Sequence, residues 1–124
     1  MYELTVDSHF DAAHCIAGYP GTCARLHGHT WRVSVTVAAE HVGELGMSMD
    51  FRDIARRLGD VIGELDHQNL NELPAFADRN PTAENLARHL YDRMLERIDD
   101  PGVRVVSVTV AETDNYRVTY RDDR

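Results

Sequence analysis

The chain has 124 residues and a formal net charge of −8, and its 13 basic residues are all arginine. That length predicts one domain over residues 1–124, with a modest core and no spare chain for a separate ligand domain. An acidic surface argues against nucleic acid or an anionic membrane as the main partner, and the lack of lysine excludes Schiff-base chemistry and a P-loop lysine. Cys15 and Cys23 are too few for a disulfide scaffold, no signal-like apolar run opens the chain, and no stretch reaches membrane-spanning length. A cytoplasmic protein with reduced thiols is expected.

Residues 2–13 alternate weakly between apolar and polar and predict a strand. Residues 15–26 hold Gly18, Pro20 and Gly21 and read as a loop. From His29 the alternation is strict, with Trp31, Val33, Val35 and Val37 on one face and Arg32, Ser34 and Thr36 on the other. Gly43 and Gly46 predict a turn within residues 38–48. Phe51, Ile54, Ala55, Leu58, Val61, Ile62 and Leu65 then recur at helical spacing, with Ser48 or Asp50 as the cap. Residues 66–80 read as loop, ending in Asn80 as a predicted N-cap and Pro81 as the first helical residue. Leu86, Leu90, Met94 and Ile98 mark a second helix that Pro101 and Gly102 stop. Residues 103–112 and 116–121 form a last strand pair, with Val106, Val108 and Val110 on one face and Glu112 next in that row. The order ββααββ predicts an α+β fold, an antiparallel four-stranded sheet with two helices on one face. Its sheet edges need cover, and oligomerisation is one solution.

His27 and His29, separated by Gly28, enter a strand at i and i+2, so their imidazoles leave the same face. His14 ends the preceding strand, and an antiparallel return brings it to the same end. Three neutral imidazoles suit Zn²⁺ with a fourth position left for water or substrate; the alternative is a set of solvated or satisfied histidines. His9, His41 and His89 lack such geometry and read as solvated, with burial in its strand the alternative for His9. Cys23 stands four residues before His27. Near a cation it would be a base or nucleophile, or a further ligand; otherwise it is an inert loop thiol. Asp66 adjoins His67 and could orient its ring, the alternative being a polar loop with His67 in water. Thr82 and Glu84 open the second helix, where ordinary helix-terminus chemistry also accounts for them.

Six segments together resemble one family: residues 10–14 (FDAAH), 23–29 (CARLHGH), 46–51 (GMSMDF), 65–71 (LDHQNLN), 81–85 (PTAEN) and 111–113 (AET). They are similar to the signature of the 6-pyruvoyltetrahydropterin and 6-carboxytetrahydropterin synthases, and they run in order along essentially the whole chain. The resemblance implies a tunnelling fold in which ββααββ subunits close their sheets into a trimeric barrel, two trimers stacking into a homohexamer with active sites at subunit interfaces. It implies zinc on His14, His27 and His29, a catalytic triad of Cys23, Asp66 and His67, a pterin anchor at Glu112 and a pocket-lining Thr82. The short interval from Cys23 to His27 is nearer the bacterial 6-carboxytetrahydropterin synthase branch. That branch converts 7,8-dihydroneopterin triphosphate to 6-carboxy-5,6,7,8-tetrahydropterin, acetaldehyde and triphosphate, for 7-deazapurines such as queuosine. A pyruvoyl-forming lyase and a non-catalytic pterin-binding homologue are the alternatives.

Overall fold

In the computed structural model, β1 (Tyr2–His14) and β2 (His27–Ala39) pair antiparallel along their full lengths. The structure describes residues 1–122, except the side chain of Cys23. The alternation in β2 has the expected consequence: Trp31, Val33, Val35 and Val37 are all buried, while Gly28, Thr30 and Arg32 face outward. From β1, Phe10, Ala12 and His14 join the inner face. Trp31 is completely buried; its indole N–H donates to the Ala12 carbonyl at 3.2 Å and its ring stacks on Phe10.

α1 (Phe51–Ile62) starts where Asp50 caps it by accepting from the Arg52 N–H at 2.8 Å. Ile54, Leu58, Val61 and Ile62 form its buried stripe, whereas Phe51 is exposed and Leu65 is buried in the turn beyond the helix. α2 (Ala83–Arg97) is capped by Thr82, whose hydroxyl accepts from the Asn85 N–H at 3.1 Å. The cap therefore falls two residues later than the predicted Asn80. The Asn80 amide is used elsewhere, donating to the carbonyl of Ala17 and accepting from its N–H. Leu86, Leu90 and Met94 face the sheet, and Ile98 is buried at the helix end. The apolar stripes of both helices and the inner face of the sheet make one core.

β4 (Val103–Thr113) pairs with β2, and β5 (Tyr116–Arg121) pairs with β4, both antiparallel. A bulge opposite Thr36 and Val37 inserts one residue into β4. Val105 therefore packs inward and Val106 is displaced from the apolar row predicted for it. A second irregularity, between Ala111 and Thr113, leaves Glu112 outside the β4–β5 pairing.

The predicted four-stranded antiparallel sheet needs correction. The described residues form a five-stranded mixed sheet, in which a short β3 (Gln68–Asn69) gives the order β3-β1-β2-β4-β5. The added β3 runs parallel to β1, pairing with Ala12 and Ala13. It is held there by the His67 N–H, which donates to the Asp11 carbonyl at 2.6 Å. Two polar residues carry no alternation to reveal a strand. Among the described residues, no helix is long and apolar enough to cross a membrane.

Candidate metal centre and acid–histidine pair

His14 and His27 stand opposite each other at the last rung of the β1–β2 ladder, with His29 two residues further along β2. The ring centroids lie 4.5 Å (His14–His27), 4.8 Å (His27–His29) and 5.3 Å (His14–His29) apart. Two of the rings are oriented by backbone carbonyls. His14 Nδ1 is 2.7 Å from the Pro81 carbonyl and His27 Nδ1 is 2.7 Å from the Arg25 carbonyl. A carbonyl oxygen can only accept, so both Nδ1 atoms carry the proton and both Nε2 atoms present a lone pair. This backbone support is the usual companion of a metal-binding imidazole.

The Nε2 atoms of His14 and His29 are buried and have no well-angled hydrogen-bond partner. For His14, whose Nε2 is no nearer than 3.8 Å to Glu112, such an orphan costs about 1–3 kcal/mol. A cation that accepts several lone pairs at once removes that cost. Burial lowers the pKa of His14; the Pro81 hydrogen bond opposes this and the neighbouring His27 adds to it. Burial likewise lowers His29, with Glu112 opposing and His27 adding. Both rings are therefore held in the neutral form that ligates metals. Trp31 backs the cluster, its ring edge-on to His14 at 4.9 Å and to His29 at 5.1 Å.

The fourth direction is not simply open. Glu112 Oε1 lies 2.9 Å from His29 Nε2 and 3.8 Å from His14 Nε2. The donor atoms of His14, His27, His29 and Glu112 all lie within 4.8 Å of one another. The donor set and its orphaned nitrogens fit a metal ion.

Asp66 and His67 form a second cluster. His67 Nδ1 is 3.0 Å from Asp66 Oδ2, and Asp66 Oδ1 accepts from the Asp11 N–H at 3.0 Å. The hydrogen bond from the Asp11 backbone, then that from His67, holds the Asp66 carboxyl below its usual pKa. His67 has a positive φ of 59°, a left-handed conformation uncommon for a non-glycine residue. Asp11 completes the group, its side chain accepting from the Thr30 hydroxyl at 2.5 Å. The sequence gives no sign of Asp11, since an outward carboxylate on a strand is ordinary. The Asp11 and Thr30 side chains lie on the outward face of the sheet, opposite the histidine cluster. An open cleft of about 570 Å³ is bordered by Asp11, Ala13, Gly28, His29, Thr30 and His67.

Cys23 falls in the loop between β1 and β2, and its side chain lies outside the described part of the structure. Cys15 is a free thiol. That loop is tied down by two asparagines. Asn71 exchanges a pair of hydrogen bonds with the Cys15 backbone, and Asn80 does the same with Ala17. The Thr82 hydroxyl is committed to capping α2, next to the Pro81 carbonyl that orients His14. His9 and His41 are exposed as expected. His89 is not solvated: it is half-buried edge-on to Phe76, and burial, then Arg79 and Arg93, lower its pKa.

A family model described as 6-pyruvoyl tetrahydropterin synthase matches residues 3–123. The chain belongs to this family. A 6-carboxy-5,6,7,8-tetrahydropterin synthase from Bacillus subtilis is 34% identical over 127 residues, spanning 97% of this chain and 85% of the relative. A human 6-pyruvoyl tetrahydrobiopterin synthase is 38% identical over 99 residues, spanning 78% of this chain and 67% of the relative. The fold matches the solved 6-pyruvoyl tetrahydropterin synthase of Caenorhabditis elegans with a TM-score of 0.88 at 24% identity, covering 98% of this chain and 96% of the other. The resemblance read from the six motifs is thus a family membership, and the observed sheet with its two helices is that of a tunnelling-fold relative.

Proposed function

We propose that this protein is a zinc-dependent lyase that converts 7,8-dihydroneopterin triphosphate to 6-carboxy-5,6,7,8-tetrahydropterin, releasing acetaldehyde and triphosphate. The observation that carries the reading is the convergence of three imidazoles, two with backbone-locked Nδ1 atoms, in a chain whose bacterial relative carries that synthase's name. His14, His27 and His29 would hold zinc. The ion would supply Lewis-acid polarisation of the substrate's side-chain oxygens.

Cys23, Asp66 and His67 would move protons on that side chain. Asp66 fixes His67 through Nδ1, which leaves Nε2 free to take or give a proton. Glu112 would accept hydrogen bonds from the pterin's amide and amino groups, and Thr82 would line the ring. The outward position of the Asp66–His67 pair supports a site completed between subunits, in a barrel of three chains and a hexamer of two barrels. A single domain over residues 1–124 acting in the cytoplasm, with a product feeding 7-deazapurine and queuosine synthesis, completes the reading.

The human relative, at the higher identity of 38%, supports a second reading, a pyruvoyl-forming lyase on the same scaffold. The two separate on the product. Zinc-loaded protein is incubated with 7,8-dihydroneopterin triphosphate, product mass is recorded, and acetaldehyde is assayed. The carboxypterin with acetaldehyde is expected. A pyruvoyl product without acetaldehyde selects the second reading, and untouched substrate contradicts both and leaves a binding protein.

A further inference from the structure

Glu112 occupies an unusual position for a residue that only receives substrate. It continues the inward row of Val108 and Val110, and the irregularity between Ala111 and Thr113 leaves it out of the β4–β5 pairing. Bulges of this kind re-aim a side chain. Its partners are two imidazoles rather than any arginine, with His29 Nε2 at 2.9 Å and His14 Nε2 at 3.8 Å. Both nitrogens are buried and lack a well-angled hydrogen bond. The His14 Nε2 lone pair gives the carboxylate nothing directly, because His14 carries its proton on Nδ1, and only His29 Nε2 can donate to it. The arrangement becomes favourable once a cation sits among all four donors, which already lie within 4.8 Å of one another.

We propose that Glu112 is the fourth ligand of the metal in the substrate-free protein, and that substrate displaces it. The proposal rests on the three-histidine metal reading above. Three nitrogens and one carboxylate oxygen would supply four protein donors, which leaves a position for substrate only once one of them departs. The carboxylate also reduces the charge buried beside Trp31 from that of a bare divalent ion. The pterin's amide edge and its side chain lie at opposite ends of the ring system. One carboxylate therefore cannot serve the metal and the ring edge simultaneously, and binding of pterin becomes an exchange of partners. The side-chain oxygens of the substrate take the coordination position that Glu112 leaves.

The test uses Co²⁺ as the metal probe. Metal-free wild type, Glu112→Gln and Glu112→Ala are titrated with Co²⁺ against a competing chelator, and visible spectra are recorded. The expected result is Co²⁺ binding weakened about 10–100-fold in both variants, with altered bands. Adding 7,8-dihydroneopterin should shift the wild-type spectrum, because a carboxylate ligand is replaced, and should shift the variant spectra differently. Variant spectra like the wild type, with affinities within about twofold of it, would overturn the proposal while leaving the three-histidine site standing. A wild-type protein that binds no Co²⁺ would overturn both.

Discussion

The histidine cluster and the Asp66–His67 pair occupy opposite faces of the same two strands and are held in opposite ways. His14 is buried among core residues, His27 and His29 are half-buried, and backbone carbonyls lock the rings of His14 and His27. The pair is solvent-facing, with the His67 side chain 78% exposed, and hangs from the edge of β1 through the Asp11 peptide. One region is assembled within a single chain: it has four candidate donor groups, its supporting hydrogen bonds and Trp31 as an apolar wall. The other is oriented but has nothing across from it among the described residues. A binding site can be built into a core because a metal replaces the lost solvation. Under the proposed function, the Asp66–His67 pair would instead stay where substrate and a neighbouring chain reach it.

This contrast can be broken by substitution. The largest effect should come from His27→Ala or His29→Ala, which leave two imidazoles. Stoichiometric zinc should be lost and turnover with it, as read by metal analysis beside the product assay. Retention of one tightly held zinc per chain would dissolve the cluster as the metal centre. His14→Ala should in addition lower the stability of the metal-free protein by about 1–3 kcal/mol, since the Pro81 carbonyl loses its donor.

Asp66→Asn should reduce kcat about 10²–10⁴-fold while zinc content stays at the wild-type level. A fall in zinc content in that variant would mean that the two regions are one unit.

The buried rings also give a pH signature. Burial lowers the folded-state pKa of His14 and His29 below the usual value of 6.5. The unfolded chain therefore takes up protons first as pH falls below about 6.5, and stability must decrease with it. Denaturant midpoints of metal-free protein between pH 7 and pH 5 should fall. The decline should be smaller in His14→Ala, which removes one of the two shifted rings.

The smallest effects concern the supports. Asn71→Ala removes both hydrogen bonds to Cys15 and should cost about 1 kcal/mol in thermal or denaturant unfolding. Thr30→Val, which removes one exposed hydroxyl from Asp11, should cost roughly half of that or less. A larger loss for Thr30→Val would show that the outward face is more rigidly tied than its exposure indicates.

Much of this was legible from residue order. The strict alternation after His29 fixes which side chains enter the core, and it puts His27 and His29 on one face. His14 could be placed with them because β1 and β2 are long and antiparallel, so their adjoining ends must meet. Other features depend on contacts distant in sequence. Asn80 looks like a helix cap, but its amide is taken by Ala17 and the cap passes to Thr82. Val106 looks inward by parity until the bulge in β4 substitutes Val105. Parity does place Glu112 on the inner face; that its carboxylate lands among the imidazoles depends on the register of β4 against β2 and on the irregularity with β5. β3 has no pattern at all and exists because the His67 N–H finds the Asp11 carbonyl.

The most direct test of the account is a zinc titration of metal-free protein with 7,8-dihydroneopterin triphosphate present. Substrate loss should rise in proportion to added zinc and stop rising at one ion per chain. Full turnover without zinc, or a zinc-saturated protein that leaves the substrate intact, would contradict it.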